Sequence, residues 1–301
     1  MSALALLLIL ISCVMHAGWN LVCKSKTPSA AFFVLSTGGS VFLMTPLYVY
    51  FIPRCGEVAP AVWGVLIATT VFQTGYFISL GNAYRLNDIS LSYPLVRSLP
   101  VLLIPLTCYL IGYGKPISPL SLAGMGIVAV GCMILPLTRF TRAVFRQYWQ
   151  YPLLFVLLAA VAITGYSIID SKGMELLRGG PTPFSTVEAA LFYISFQTAG
   201  IWLCLWLYVC CSRRETAHLR SIWKGSLRYP LMAGPATTVA YTLVLIAMPF
   251  ATNVSYIMAF RQISILIGVY LGVAILKEKL TRLKMASTLL IFTGLVLAAL
   301  G

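Results

Sequence analysis

The chain has 301 residues, of which 60% are hydrophobic and only 9% charged, and its mean hydropathy is +0.93. Soluble domains carry about 25% charged residues, so a chain of this length could not cover a water-facing surface. That excludes a cytosolic globular enzyme, a disordered regulator and a disulfide-stapled secreted domain, and it points to an all-α membrane protein. The net charge of +14, from 21 Lys+Arg against 7 Asp+Glu, would in a soluble protein suggest nucleic acid; here its placement along the chain decides what it means.

Ten apolar runs of spanning length are expected in chain order, at about 2–23, 30–52, 60–84, 89–111, 118–137, 151–171, 184–210, 230–248, 251–276 and 284–300. The first lacks a basic n-region and a convincing cleavage site, so it is expected to be a retained span. The connectors are short, the longest covering 211–229, and none could form a soluble domain. Spans eight and nine are separated only by Met248-Pro249-Phe250, where proline favours a break. The eight cysteines show no CxxC pair and read as small buried apolar residues.

The odd-numbered loops hold fifteen Lys/Arg and the even-numbered loops four. Cytoplasmic loops carry the basic excess, so the odd loops are expected inside and both termini outside. The charge is then a topology signal, and with no array of stacking aromatics no nucleic-acid partner is expected.

Sliding 83–115 onto 247–279, an offset of 164, brings Arg97 onto Arg261 and Lys115 onto Lys279. Five spans per half would invert the second half, and the loop charges change accordingly: loops two and four carry one basic residue each, whereas loops seven and nine carry five and four. The expected fold is ten transmembrane helices as two inverted five-helix repeats, 1–149 and 150–301. Secondary transporters are built this way, with a site near the midplane between the repeats.

Arg97 and Arg261 are the only basic residues well inside spans. A central arginine costs about 2.5–3.5 kcal/mol on insertion scales, so each needs a reason. One reading is a pair of guanidinium groups offering forked donors to a carboxylate, phosphate or phosphonate in a central cavity. The other is a pair of internal locks, satisfied by carbonyls freed at Pro94 and Pro100 or by an acid. Acids are scarce, because Asp170 and Glu188 fall close to the outer ends of spans six and seven.

Ser12, His16 and Asn20 share one face of span one, with Trp19 beside them. His16 either titrates near neutral pH and couples transport to protons, or packs against a neighbouring helix. Gln73 and Tyr76 in span three, Tyr93 in span four, Tyr241 in span eight and Gln262 beside Arg261 complete the expected lining. Gly268 and Gly272 form a GxxxG that permits close helix approach. No paired carboxylate, HExxH, GxSxG or Walker loop is present, so no enzyme, metal or cofactor is expected.

Three motifs carry a family resemblance: His16-Ala17-Gly18-Trp19-Asn20, Tyr93-Pro94-Leu95-Val96-Arg97, and Phe260-Arg261-Gln262-Ile263-Ser264 followed by Gly268, Gly272 and Lys277-Glu278. With them the chain resembles the drug/metabolite transporter superfamily, EamA type, over its whole length. It also looks similar to the branch of membrane proteins associated with phosphonate utilisation. The resemblance implies a carrier of small metabolites with a cavity between the halves. Loop four, Gly112-Tyr113-Gly114-Lys115, lacks the glutamate often found there, and His16 stands in the helix where small four-span relatives use a glutamate.

The expected function is alternating-access transport of a small anionic or zwitterionic metabolite, with a coupling proton or an exchanged metabolite as possible second solute. The expected location is a bacterial cytoplasmic membrane. Rival readings are an exporter of cationic or neutral drugs in the same fold and a lipid flippase or scramblase.

Overall fold

The computed structural model describes residues 2–24, 29–86, 89–137, 153–180, 182–225, 227–275, 277 and 280–301, without the side chains of 19–24 and 89–93. The expected boundary at 149/150 and Glu278 lie outside the described residues. All regular structure within them is helical. The helices are α1 (Ala3–Lys24), α2 (Ala30–Leu43), α3 (Thr45–Phe51), α4 (Pro60–Leu86), α5 (Ile89–Ile111), α6 (Pro119–Ile134), α7 (Leu153–Arg178), α8 (Thr186–Cys211), α9 (Arg213–Gly225), α10 (Arg228–Ala247), α11 (Val254–Phe260), α12 (Ile263–Ala274) and α13 (Arg282–Leu300).

Among the described residues, seven stretches are long and apolar enough to cross a membrane: Pro60–Leu86, Pro94–Ile111, Leu153–Arg178, Thr186–Cys211, Arg228–Phe250, Val254–Ala274 and Arg282–Leu300. Ala30–Leu43 with Thr45–Glu57 forms a further, bent one, and Ala3–Gly18 and Pro119–Ile134 are shorter apolar helices. The protein is a multi-pass integral membrane protein. Its helices follow the rule for a lipid solvent, apolar all round rather than on one stripe. On α1, Ala5, Ile9 and Cys13 are buried while Leu4, Leu7, Ile11 and Val14 face outward.

Local chemistry sets the irregularities. The 56° bend between α2 and α3 falls at Met44-Thr45-Pro46. Pro46 has no N–H for the carbonyl of Phe42, and the Thr45 hydroxyl donates to that carbonyl instead, at 2.7 Å. The Met248-Pro249-Phe250 break is present as a 3-10 turn that ends α10. At Arg261-Gln262 the backbone between α11 and α12 tightens, with Gln262 N–H donating to Ala259 O and Ile265 N–H to Gln262 O. The 211–229 connector differs from its expected form, since most of it is α9. The buried Glu215 of α9 accepts a hydrogen bond from Ala31 N–H at 3.0 Å and so caps the start of α2.

α4 packs along α7, α1 along α10, α2 against both α8 and α10, α5 against α7, α1 against α12, and α6 along α13. The close approach promised by GxxxG is found elsewhere. Gly268 is exposed, and an added Cβ there would meet nothing within 4 Å. A Cβ on Gly294 would sit 2.6 Å from Gly124 O and 2.8 Å from Val128 N, so α6 and α13 touch through bare backbone. Gly234 of α10 is tighter still, with Ser36 O of α2 at 1.9 Å from the same hypothetical atom.

Gly294→Ala is expected to cost about 1–3 kcal/mol by overpacking, lowering the thermal unfolding midpoint of detergent-purified protein. Gly268→Ala, in open space, is expected to leave the midpoint unchanged or raise it by up to about 1 kcal/mol equivalent through helix propensity.

Candidate functional site

α2, α4, α8 and α10 wall a central cavity of about 890 Å3 of space not occupied by atoms, including the part open to solvent. Its lining draws on Ser36, Thr37 and Ser40 of α2, Gln73 and Tyr76 of α4, Thr198 of α8, and Thr237 and Tyr241 of α10. α1, α5, α7 and the α11–α12 junction contribute His16, Arg97, Tyr166 and Arg261. The lining hydroxyls are partly occupied within their own helices: Thr37 donates to Phe33 O at 2.8 Å and Thr237 to Ala233 O at 2.7 Å.

Both arginines are buried and reach the cavity, but they are held differently. Arg97 Nη2 donates across to Arg261 O at 2.9 Å and to Ser264 Oγ at 3.1 Å. The tightened backbone at 261–262 makes that carbonyl available, and Ser264 Oγ shares it at 2.8 Å. Arg97 thus finds partners across the bundle, at the junction of α11 and α12. Arg261 holds its guanidinium over the Tyr241 ring, 5.4 Å from the centroid, and donates to Met258 Sδ at 3.5 Å. The Tyr166 side chain also hydrogen-bonds with Arg261, but a thioether, a ring face and a phenol are weak partners for a full charge.

Asp170 is the residue the sequence reading misplaced. It is not at an outer end but fully buried, 0% exposed. Tyr193 and Gln197 Nε2 donate to its Oδ1 at 2.9 Å each, joined by Thr69 Oγ1, while Tyr241 and Gln73 Nε2 (3.4 Å) donate to Oδ2. Gln197 Nε2 also donates to Thr69 Oγ1 at 2.8 Å. The 26-residue α7 is about 39 Å long at 1.5 Å per residue, longer than a hydrocarbon slab of about 30 Å. Hydropathy alone thus sets its charged end too early. The usable trace in the sequence is the pair of polar steps four apart, Thr69/Gln73 and Tyr193/Gln197, each on one helical face. Glu188, by contrast, is half-buried, in a capping box with Ser185 at the start of α8, and pairs with Arg54 at 3.3 Å.

The structure thus brings His16, Gln73, Tyr76, Arg97, Tyr241 and Arg261 together around one cavity. Gln262 departs from its expected place. It is fully buried outside the lining, and its Nε2 braces Arg97 O at 3.2 Å and Met258 O at 3.0 Å. Trp19, Asn20 and Tyr93 sit on α1 and α5, with side chains outside the described residues. Ser12 ties α1 to α10 by donating to Ala240 O at 2.7 Å.

The cavity lies among the middle turns of α4, α7, α8 and α10. The end of the bundle toward the even-numbered loops is filled. Phe51, Phe184, Phe192, Phe196 and Trp63 stack edge-on or tilted with centroids 4.7–6.2 Å apart, and Arg54 lies 4.5 Å over the Phe184 ring. Lys115 N–H to Thr252 O (3.2 Å) and Asn253 Nδ2 to Lys115 O (3.1 Å) join further even-numbered loops.

Asp170→Ala would strand five buried donors, each costing about 1–3 kcal/mol when left unsatisfied. It is expected to abolish the monodisperse folded peak in size-exclusion chromatography, whereas Thr69→Val, which removes one donor, is expected only to lower the unfolding midpoint.

No protein-family model matches the sequence, and no curated protein matches it. The chain is similar to a solved crystal structure at 18% sequence identity, with a TM-score of 0.65 and coverage of 98% of this chain and 97% of that one. At that identity the likeness concerns the fold alone.

Proposed function

We propose that this protein is a secondary transporter that moves a small anionic or zwitterionic metabolite by alternating access, within ten spans arranged as two inverted halves, 1–149 and 150–301. The seven long stretches, the bent α2–α3 pair and the shorter α1 and α6 together give ten. The packing supports the repeat. If the halves are exchanged, the α1–α10 pair becomes α7–α4, α2–α10 becomes α8–α4, and α5–α7 becomes α12–α1, while α6–α13 and α2–α8 map onto themselves; every one of these pairs is in contact.

The observation that carries the reading is Arg261, a full positive charge at the cavity wall held by a thioether, a ring face and the Tyr166 side chain rather than by an acid. Carboxylate or phosphonate oxygens would displace such partners and gain a charge-assisted, forked pair. Arg97 supports the same end of the substrate while tying the halves together. Tyr76, Tyr166 and Tyr241 offer ring faces to an ammonium or to an apolar body. A cation exporter fits less well, because Asp170, the one buried acid beside the cavity among the described residues, is already enclosed by five donors. The EamA-type drug/metabolite family is the family this reading favours. An aminophosphonate would suit both charges.

With the basic odd loops inside, the aromatic layer lies at the outer face. The location is then a bacterial cytoplasmic membrane with both termini outside.

In a thermal-shift screen of small carboxylates, amino acids and phosphonates, a bound ligand at 100 times its Kd is expected to add about 2.7 kcal/mol of stability. Arg261→Ala is expected to erase that shift and uptake into liposomes while keeping the folded peak; retention of both would overturn the anion site. A lipid flippase would show no saturation by a soluble solute. For topology, Glu57→Cys is expected to react with an impermeant maleimide in right-side-out vesicles and His218→Cys only after permeabilisation; the opposite pattern would reverse the orientation.

A further inference from the structure

The Asp170 cage holds one unsatisfied atom. Gln197 is fully buried and lines the cavity, and while its Nε2 donates to Asp170 Oδ1 and Thr69, its Oε1 has no hydrogen-bond partner. Asp170 itself is not part of the cavity lining; Gln73, Gln197 and Tyr241 stand between it and the space. A substrate ammonium therefore meets the donors first and not the carboxylate. A proton, which needs no room, can pass.

We propose that Asp170 is a proton-binding site of the carrier, with Gln197 as the amide that turns to accommodate the proton. The inference rests on the transporter reading above. A proton from hydronium in the cavity adds to Asp170 Oδ1, leaving water, and no covalent bond in the protein breaks. The new O–H needs an acceptor where Thr69, Tyr193 and Gln197 all donate to the ionised Oδ1. A half-turn of the Gln197 amide supplies one, exchanging Nε2 for the idle Oε1. The N–H2 then stands where the carbonyl oxygen stood, on a residue of the cavity lining, and adds a donor to the anion site. Proton and anion thus bind better together than apart, by linkage.

The groups facing the carboxylate fit this role. Besides Thr69 and Gln73 from α4, Tyr193 and Gln197 from α8 and Tyr241 from α10, the ionisable neighbours are Tyr166 on α7 itself and, beyond it, Arg97 of α5 and Arg261 at the end of α11. Asp170 is the one acid in that set. Its bonds to Thr69 and Gln73 cross between the two halves, so neutralising it weakens a cross-link between the parts that would have to move.

The test is infrared difference spectroscopy of the full chain in lipid vesicles, stepped from mildly alkaline to acidic buffer without added substrate. The expected result is a carboxylic-acid C=O band that grows on acidification and is missing from Asp170→Asn. Should Asp170→Asn fail to fold, Tyr241→Phe and Gln197→Leu carry the assignment. The first removes a donor from the acid's C=O and the second the acceptor of its O–H, so the band should persist at a changed frequency in both. A wild type with no such band while folded, or a band that neither variant moves, would overturn the proposal. Because no transport is measured, a missing band alongside ligand stabilisation that depends on Arg261 sinks the proton site and leaves the carrier reading standing.

Discussion

A charge inside an apolar slab must find hydrogen-bond partners before the helices around it can close. Three charges impose that condition here. Arg97 reaches a backbone carbonyl and a serine hydroxyl on the opposite helix, Arg261 settles on sulfur, a ring face and the Tyr166 side chain, and Asp170 gathers five donors. These demands, more than burial of apolar area, decide which helices meet. Lipid tails are as apolar as leucine, so an outward Leu7 or Ile11 gives no preference for one neighbour over another. The carboxylate obliges α4, α8 and α10 to converge on α7, and the Arg97 guanidinium obliges α5 to meet the junction of α11 and α12.

Away from the charges a second kind of contact takes over. α6 and α13 approach through Gly124 and Gly294, backbone against backbone, and α10 meets α2 through Gly234. Such seams depend on shape and dispersion, with little polar direction. The molecule thus divides its work between a polar centre that specifies partners and glycine contacts that allow tight packing. The stacked phenylalanines near the even-numbered loops form a third region, dry and unsuited to an ionic solute.

Much of this was legible in the sequence. Long apolar runs, the Met248-Pro249-Phe250 break and the two mid-span arginines follow from length, proline chemistry and the cost of a buried charge. What escaped was three-dimensional. Asp170 sits where Lys172, Glu175 and Arg178 begin, and a linear window sees a charged terminus; only the folded bundle shows that three helices turn polar groups onto one carboxylate of α7. Gln262 looked like lining because it follows Arg261, but the tightened backbone there turns the two side chains to different tasks. In the GxxxG of α12 Gly272 is buried but Gly268 faces outward, since the motif records that a helix could be approached and not whether a neighbour is there. α9 was read as a connector because its polarity hides a helix anchored by one buried glutamate.

The grip of Arg97 on a main-chain oxygen has a consequence for how such a protein can diversify. The acceptor belongs to the peptide unit of position 261, and every amino acid supplies the same one. The tie between the two halves is therefore indifferent to the side chain at 261, which is the side chain turned toward the cavity. Exchanges at 261 can retune what the cavity admits while the join between the halves stays as it was, so that solute choice and architecture are inherited through the same residue but can evolve apart.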